Sequence, residues 1–295
     1  MKILVVGGGS IGLLVSSYLQ MEGHDVSVVT RLENQAKVIN RDGLIMINKN
    51  RKYVVRVQAF HDISYKKNSY DVAAIALKQT HLNRFFDDHL PYLSESALLF
   101  LQNGMGHMEK AELQTDNRLF AGIVTHGALK LNDNKVKHTG NGGISVGSWK
   151  NSNDQLNEVT NGKLLGWKQS NNIHVNMKEK LLINLVVNPL TALYKVRNGA
   201  LLDDPYIAQV KALFEEGKQL LKINDDYFPT ILNVIRSTSK NKSSMYQDVQ
   251  MKRKTEIESI TGYLLIQAKK QHIHVPNIMF VHNAIKDLER SWGDV

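Results

Sequence analysis

Gly7-x-Gly9-x-x-Gly12 lies between an apolar, β-branched run, Lys2–Val6, and a stretch, Leu13–Glu22, with the apolar spacing of an amphipathic helix. A second β-rich run, Asp25–Thr30, follows. This strand–glycine turn–helix–strand order constrains the fold more than any other feature, because it describes one βαβ unit. The first glycine permits the tight turn, the second lets backbone approach a pyrophosphate, and the third allows helix and strand to pack closely. The helix N-terminus then offers unpaired N–H groups and partial positive charge to phosphates. Gly7, Gly8, Gly9, Ser10, Ile11 and Gly12 are therefore candidate cofactor-binding residues.

Further apolar runs extend the pattern. Leu44–Ile47 and Tyr53–Ala59 read as short strands joined by a hairpin across Asn48–Arg51, and Val72–Leu77, Ala97–Leu101 and Ala121–Thr125 as buried strands. His81–Leu93 and His107–Leu113 fall between strands and read as helices. Alternating strands and helices predict an α/β, Rossmann-like domain with a mostly parallel sheet covered on both faces. Val136–Trp149 reads as a turn and strands closing it, and the Asn-rich Lys150–Glu158 as exposed. Beyond about Asn176 the pattern becomes helical: Met177–Tyr194, Pro205–Leu221, Pro229–Ser237, Arg253–Gln271 and Val275–Arg290. The expected organisation is a nucleotide-binding domain over residues 1–170 and an all-α substrate domain over 171–295.

Composition narrows the function classes. The chain has 295 residues, 42% of them hydrophobic, which fits two globular domains. No apolar run reaches the roughly 20 residues needed to span a membrane, and the N-terminal glycines interrupt what an export signal would need. With no cysteine, disulfides and thiolate metal sites are excluded, and no metal site is assigned. These features fit a cytoplasmic protein. The formal charge of +9 is spread along the chain without an aromatic platform, so it suits anionic small molecules better than nucleic acid.

The second half carries its own signal. Lys180, Asn184 and Asn188 recur every four residues in an otherwise apolar segment, which places them on one helix face. Leaving such groups buried and unpartnered costs roughly 1–3 kcal/mol each, so a ligand is a natural partner. Each has a plainer reading as well. Lys180 can snorkel from a packed helix. Pro189 either kinks the helix or makes Asn188 the cap of a new one. Glu256 sits near a helix start, where the dipole favours an anion. Ser243 and Ser244 can be an exposed turn or cap.

Three residues follow strands of the first half. Arg31 stands where an NAD-selective site usually has an acid, and a guanidinium there suits a 2′-phosphate. The plainer reading is a solvated strand-end arginine. Lys78 follows Val72–Leu77, and Asn103 lies in Leu101–Gly106 as either an Asn-Gly turn or a cofactor-edge residue. His81 receives no role.

Together the blocks GGGSIG (7–12), QNGMG (102–106), KLLINLVVNPLTAL (180–193), NG (198–199), SSMYQD (243–248) and KTEIESITGYLL (254–265) resemble the ketopantoate reductase family through nearly the whole chain. The resemblance implies NADPH-dependent reduction of ketopantoate (2-dehydropantoate) to pantoate, on the route to pantothenate and coenzyme A. It makes Lys180 the catalytic lysine and Glu256 the glutamate that organises the lysine or substrate hydroxyl. Asn103 then positions lysine and cofactor at the nicotinamide edge, and Asn184 and Asn188 contact substrate polar groups. Ser244 holds the substrate carboxylate, and Arg31 and Lys78 surround the 2′-phosphate. Many relatives carry glutamine three residues after that lysine, whereas Thr80-His81 occupies the stretch here. Alternatives are an NADP-dependent reductase of another small 2-oxoacid and a non-catalytic NADP(H)-binding sensor. Helical second domains of this type can form homodimers, and sequence leaves the oligomeric state open.

Overall fold

The computed structural model describes residues 1–61, 70–150 and 155–293. The chain forms two compact units, one of Met1–Gln102 with His107–His174, the other of Asn103–Gly106 with Val175–Val295. The strands all lie in the first: β1 (Lys2–Val6), β2 (Asp25–Val29), β3 (Leu44–Asn48), β4 (Arg51–Val55), β5 (Gln58–Phe60), β6 (Val72–Ile75), β7 (Ala97–Phe100), β8 (Leu119–Val124), β9 (Gly127–Asn132), β10 (Lys135–Gly140), β11 (Ile144–Ser148) and β12 (Trp167–Gln169). Its helices are α1 (Ser10–Met21), α2 (Glu33–Asp42), α3 (Leu82–Asp88), α4 (Gly106–Gln114) and the short α5 (Asn157–Thr160).

Eight strands form the main sheet in the order β12-β11-β8-β7-β6-β1-β2-β5. Every neighbouring pair is parallel except β8 and β11. From β1 the chain builds outward through β2 to β5, then returns to the other side of β1 with β6. That reversal is where open α/β sheets leave a crevice at their strands' carboxyl ends.

A second sheet, β4-β3-β10-β9, was not expected from the sequence. It explains a departure in α1, which is buried from Gly12 through Leu19 instead of showing one polar face. The helix packs on β1 and β2 on one side and on β3, β9 and β10 on the other. Its two interior serines are satisfied locally: Ser16 Oγ donates to Gly12 O (2.7 Å) and Ser17 Oγ to Leu13 O (2.8 Å). The β3–β4 hairpin turns through Lys49 and Asn50, both at positive φ (45° and 66°), as a two-residue turn matched to strand twist requires. The run Tyr53–Ala59, expected as one strand, divides instead. Its first part pairs in the small sheet, while Gln58–Phe60 joins the edge of the main sheet.

Other boundaries also moved. The helix expected over His81–Leu93 is only Leu82–Asp88, followed by a 3₁₀ turn at Leu90–Tyr92 containing Pro91. Residues 151–154 of the expected Asn-rich exposed stretch lie outside the described residues. Within its remainder Leu156 is buried. The strands β9 and β12 and the helix α2 had no expectation.

The second unit is helical: most of α6 (Ile173–Tyr194), then α7 (Tyr206–Leu221), α8 (Phe228–Ser237), α9 (Ser244–Gln250), α10 (Tyr263–Gln271) and α11 (Pro276–Arg290). α6 runs unbroken through Pro189, so Asn188 does not cap a new helix. Thr191 hydroxyl bonds to Val187 O (2.7 Å) and Asn188 O (3.1 Å) surround the proline step. The helix expected over Arg253–Gln271 starts late and opens with a π turn, Glu258–Gly262. No helix among the described residues is long and apolar enough to cross a membrane.

Histidines lock parts of the first unit. His138 Nδ1 lies 2.7 Å from Tyr18 Oη, which accepts from Asn48 Nδ2 (2.8 Å), so α1 is tied to both inner strands of the small sheet. Burial, the neighbouring His126 and opposing backbone contacts leave His138 below its ordinary pKa, and full burial pushes His107 down to about 3. Folded, both bind a proton less readily than the unfolded chain, whose imidazoles accept one near 6.5. Their contribution to stability is thus complete above about pH 6.5 and is lost as pH falls below it, at up to about 1.4 kcal/mol per unit for His107. Urea unfolding at a series of pH values should show this acid-side slope, and His107→Leu should make it shallower. An unchanged slope in that variant would mean that His107 is not held neutral.

Candidate active site

The glycine turn is built by exclusion. Gly7 has φ 126°, and a Cβ there would meet Ala76 O at 2.6 Å. A Cβ at Gly12 would meet Gly7 O at 1.8 Å, so helix α1 can approach β1 only with glycine at that position. Gly9 is different: φ is −84°, and a Cβ would face open space. Nothing in the protein itself therefore demands glycine at this position. Gln35 on α2 steadies the turn, its Nε2 donating to Gly8 O (2.9 Å) and Asp133 O (2.8 Å). Ser10 Oγ accepts from Lys130 N (3.1 Å), so this residue anchors β9. Ile11 packs against the core of the first unit.

Beside the turn lies a pocket of about 530 Å³, including its open mouth, beneath the carboxyl ends of β1, β2 and β6. Arg31, His61, His81, Arg84 and His89 supply its titratable lining, and Val6, Val29, Leu77 and Phe85 its apolar wall. Buried Thr30 fixes the loop that presents Arg31: its N–H donates to Phe60 O (2.7 Å) and its hydroxyl to Leu32 O (2.9 Å). Lys78, exposed at the start of the 3₁₀ turn Gln79–His81, is not among the lining residues, but its charge reaches His81. The basic and apolar walls of this pocket suit an anionic nucleotide. The sequence reading missed His61, Arg84 and His89, because β5 and α3 bring them in from separated segments.

The second unit gathers most of the other expected residues. Asn103 Nδ2 donates to Glu256 Oε2 (2.8 Å) across 153 residues of sequence. Glu256 sits between Thr255 and the π turn. Thr255 is held by Glu289 on α11, which accepts from both its N–H and its hydroxyl at 2.7 Å. π turns concentrate at functional sites. Gly106, ending the same loop as Asn103, packs against Tyr263, whose ring a Cβ would meet at 3.1 Å.

Lys180, Asn184 and Asn188 share one face of α6, with the two asparagines 7% and 8% exposed. Among the described residues, neither side-chain carboxamide nor the Lys180 ammonium has a hydrogen-bonding or ionic partner. Burial lowers the Lys180 pKa from the ordinary lysine value. One turn on, Thr191 Oγ1, whose hydrogen points to backbone carbonyls, lies 2.7 Å from Ser243 Oγ and accepts its hydrogen, while Ser243 Oγ accepts from Tyr246 N (3.0 Å) and caps α9. Ser243 is therefore the buried structural member of the pair, and Ser244 is the exposed one at the first position of α9. The Thr191–Ser243 bond sets where Ser244 stands, and sequence spacing gives no sign of it.

Fold and site together define a Rossmann-type dinucleotide-binding protein whose helical unit carries a desolvated lysine. Comparison with known proteins narrows this class. The family described as Ketopantoate reductase PanE/ApbA matches residues 3–151, and its C-terminal counterpart matches 172–289. The chain belongs to the ketopantoate reductase family. It is 35% identical to the 2-dehydropantoate 2-reductase of Bacillus subtilis (strain 168), with both chains covered completely. The crystal structure of a probable 2-dehydropantoate 2-reductase from Bacillus subtilis superposes with a TM-score of 0.91 at 34% identity, covering 98% of this chain and 100% of that one. A D-mandelate dehydrogenase bound to NADH and anilino(oxo)acetate shares the fold (TM-score 0.90, 22% identity, 99% of each chain).

The two glycine environments give opposite expectations for one substitution. Gly12→Ala must displace backbone and should lower thermal stability by several degrees or leave the protein insoluble. Gly9→Ala should melt like the parent while dinucleotide affinity, read by fluorescence titration, falls at least tenfold. Equal affinity in Gly9→Ala would remove the phosphates from this turn.

Proposed function

We propose that this protein reduces ketopantoate to (R)-pantoate with NADPH, in the pathway to pantothenate and coenzyme A. The observation that carries the reading is the polar face of α6: Lys180, Asn184 and Asn188, whose side chains bond to no described protein group. Donors and acceptors aligned on one face and left free by the protein suit a small polar substrate.

NADPH supplies the hydride when bound. As the ketone carbon accepts it, negative charge develops on the oxygen. The Lys180 ammonium stabilises that charge and delivers the proton. Desolvation lowers its pKa and so eases proton donation, while its charge acts in a medium that screens it little. Glu256, oriented by Asn103, organises the lysine and the substrate hydroxyl. Asn184 and Asn188 bind the remaining polar groups, and Ser244 the carboxylate. Arg31 and Lys78 bind the 2′-phosphate, and the turn from Gly7 to Gly12 binds the pyrophosphate.

Family relatives with the ketopantoate name support the substrate. The D-mandelate dehydrogenase neighbour favours a second reading, reduction of another 2-oxoacid on the same framework. The proposal also includes a cytoplasmic setting and a homodimer. Exposed Ile266, Met279 and Phe280 on α10 and α11 offer apolar surface for a second copy, and light scattering showing only monomer at micromolar concentration would reject that part.

Turnover should be followed by NADPH absorbance with ketopantoate, pyruvate and 2-oxoisovalerate in parallel. Ketopantoate is expected to be preferred. Preference for another acid would move the enzyme to the second reading, and binding without turnover would leave a sensor. Lys180→Ala should lower kcat by about 10²-fold or more while retaining NADPH binding. Arg31→Ala should weaken NADPH by roughly tenfold, in line with a lost charge-assisted bond, and leave NADH nearly unchanged. Equal effects on both cofactors would clear Arg31 of the phosphate role.

A further inference from the structure

His81 projects into the basic pocket in a setting that makes its charge depend on what the pocket holds. Arg31 arrives from the end of β2, His61 from the end of β5, and Arg84 and His89 from α3 and the turn after it. None of the described lining residues is acidic. Among the described residues, the carboxylates that interact with this lining are themselves paired: Asp88 with Arg84 (2.8 Å), and Glu33, whose charge interacts with His61, with Lys37 (2.9 Å). Partial burial, then the positive charges of Arg31, Lys78 and Arg84, push the His81 imidazole below its ordinary value. With the pocket empty of anions, His81 is therefore mainly neutral at pH 7.

A phosphate monoester reverses this field. It brings close to two negative charges, and in a semi-enclosed pocket they act at short range against weak screening. A protonated imidazole is then favoured, with both ring nitrogens as donors. Resting on the NADPH reading above, we propose that His81 is a proton-coupled ligand of the cofactor's 2′-phosphate: it takes one proton from solvent as the phosphate enters, so that preference for NADPH over NADH rises as pH falls from about 8 to about 6.5. This gives the chain a selectivity residue beyond Arg31 and Lys78, one whose contribution varies with pH.

The linkage has a definite sign. Binding raises the His81 pKa, so in the window between the free and bound values the complex holds more protons than the free protein, and affinity grows as pH falls. The phosphate's own second ionisation, near 6, opposes this at lower pH, which sets the lower limit of the useful range. NADH, without that phosphate, is the internal control.

The test measures NADPH and NADH dissociation constants by fluorescence between pH 8 and 6.5 for the parent, His81→Gln and His61→Gln. For NADPH, the parent and His61→Gln should tighten by about threefold or more per pH unit, while His81→Gln stays within about twofold across the range. NADH should be flat in all three. Calorimetry of the parent in two buffers of different ionisation enthalpy should show net proton uptake at pH 7.5 with NADPH and none with NADH, a readout independent of any variant's folding. An unaltered slope in His81→Gln, or no proton uptake by the parent, overturns the proposal. If the parent binds NADPH no more tightly than NADH at any pH, the cofactor reading itself fails, a result distinct from loss of the slope alone.

Discussion

The structure of the first unit depends on one contact distance. Helix α1 lies so close to the end of β1 that a methyl group at residue 12 would sit 1.8 Å from Gly7 O. Close approach brings the helix N-terminus to the carboxyl edge of the sheet, which is what an anion needs. It also presses α1 deep enough that its outer side must be covered. The small sheet supplies that cover, and buried Tyr18 reaches across to His138 and Asn48 to hold it in place. The turn, the buried helix and the second sheet are consequences of one packing choice.

The two units use positive charge in different ways. Around the pocket, Arg31, Lys78 and Arg84 are exposed to solvent. Lys180 is enclosed, and its pKa is lowered by desolvation alone. A solvated lysine would bind an oxyanion weakly and surrender its proton reluctantly. An enclosed one does both better, because its charge is poorly screened and its proton less tightly held. The net charge of +9 says little about this division, since it counts all of these groups equally.

Legibility from sequence followed the range of the interactions. The turn at Gly7–Gly12, the hairpin at Asn48–Arg51 and the shared face of Lys180, Asn184 and Asn188 are local, so backbone periodicity and turn chemistry reveal them. The small sheet joins β3 to β10 across some ninety residues, and no local pattern announces such a pairing. Tyr53–Ala59 misled because a continuous β-prone run carries no mark of where the chain changes sheets. Pro189 misled in the other direction, since propensity argues for a helix boundary while packing of the apolar face of α6 carries the helix through. The Asn103–Glu256 bond and the basic pocket assemble from distant segments: position after a strand marked Asn103 and position near a helix start marked Glu256, but no spacing tied the two together.

His81 shows why position along a helix or strand is a poor guide to such groups. Its neighbours in sequence, Thr80 and Leu82, say nothing about charge. Its neighbours in space are the end of β2, the end of β5 and α3, which converge because β1 lies between β2 and β6 in the sheet. Strand order thus determines that a histidine sits among arginines, and partial burial together with those positive charges holds its pKa below the ordinary value. An imidazole in this position has a different effect from a glutamine, which offers the same hydrogen-bonding reach at every pH. The substitution of one polar side chain for another at a strand's carboxyl edge can therefore leave the reaction unchanged while making cofactor selection respond to protons.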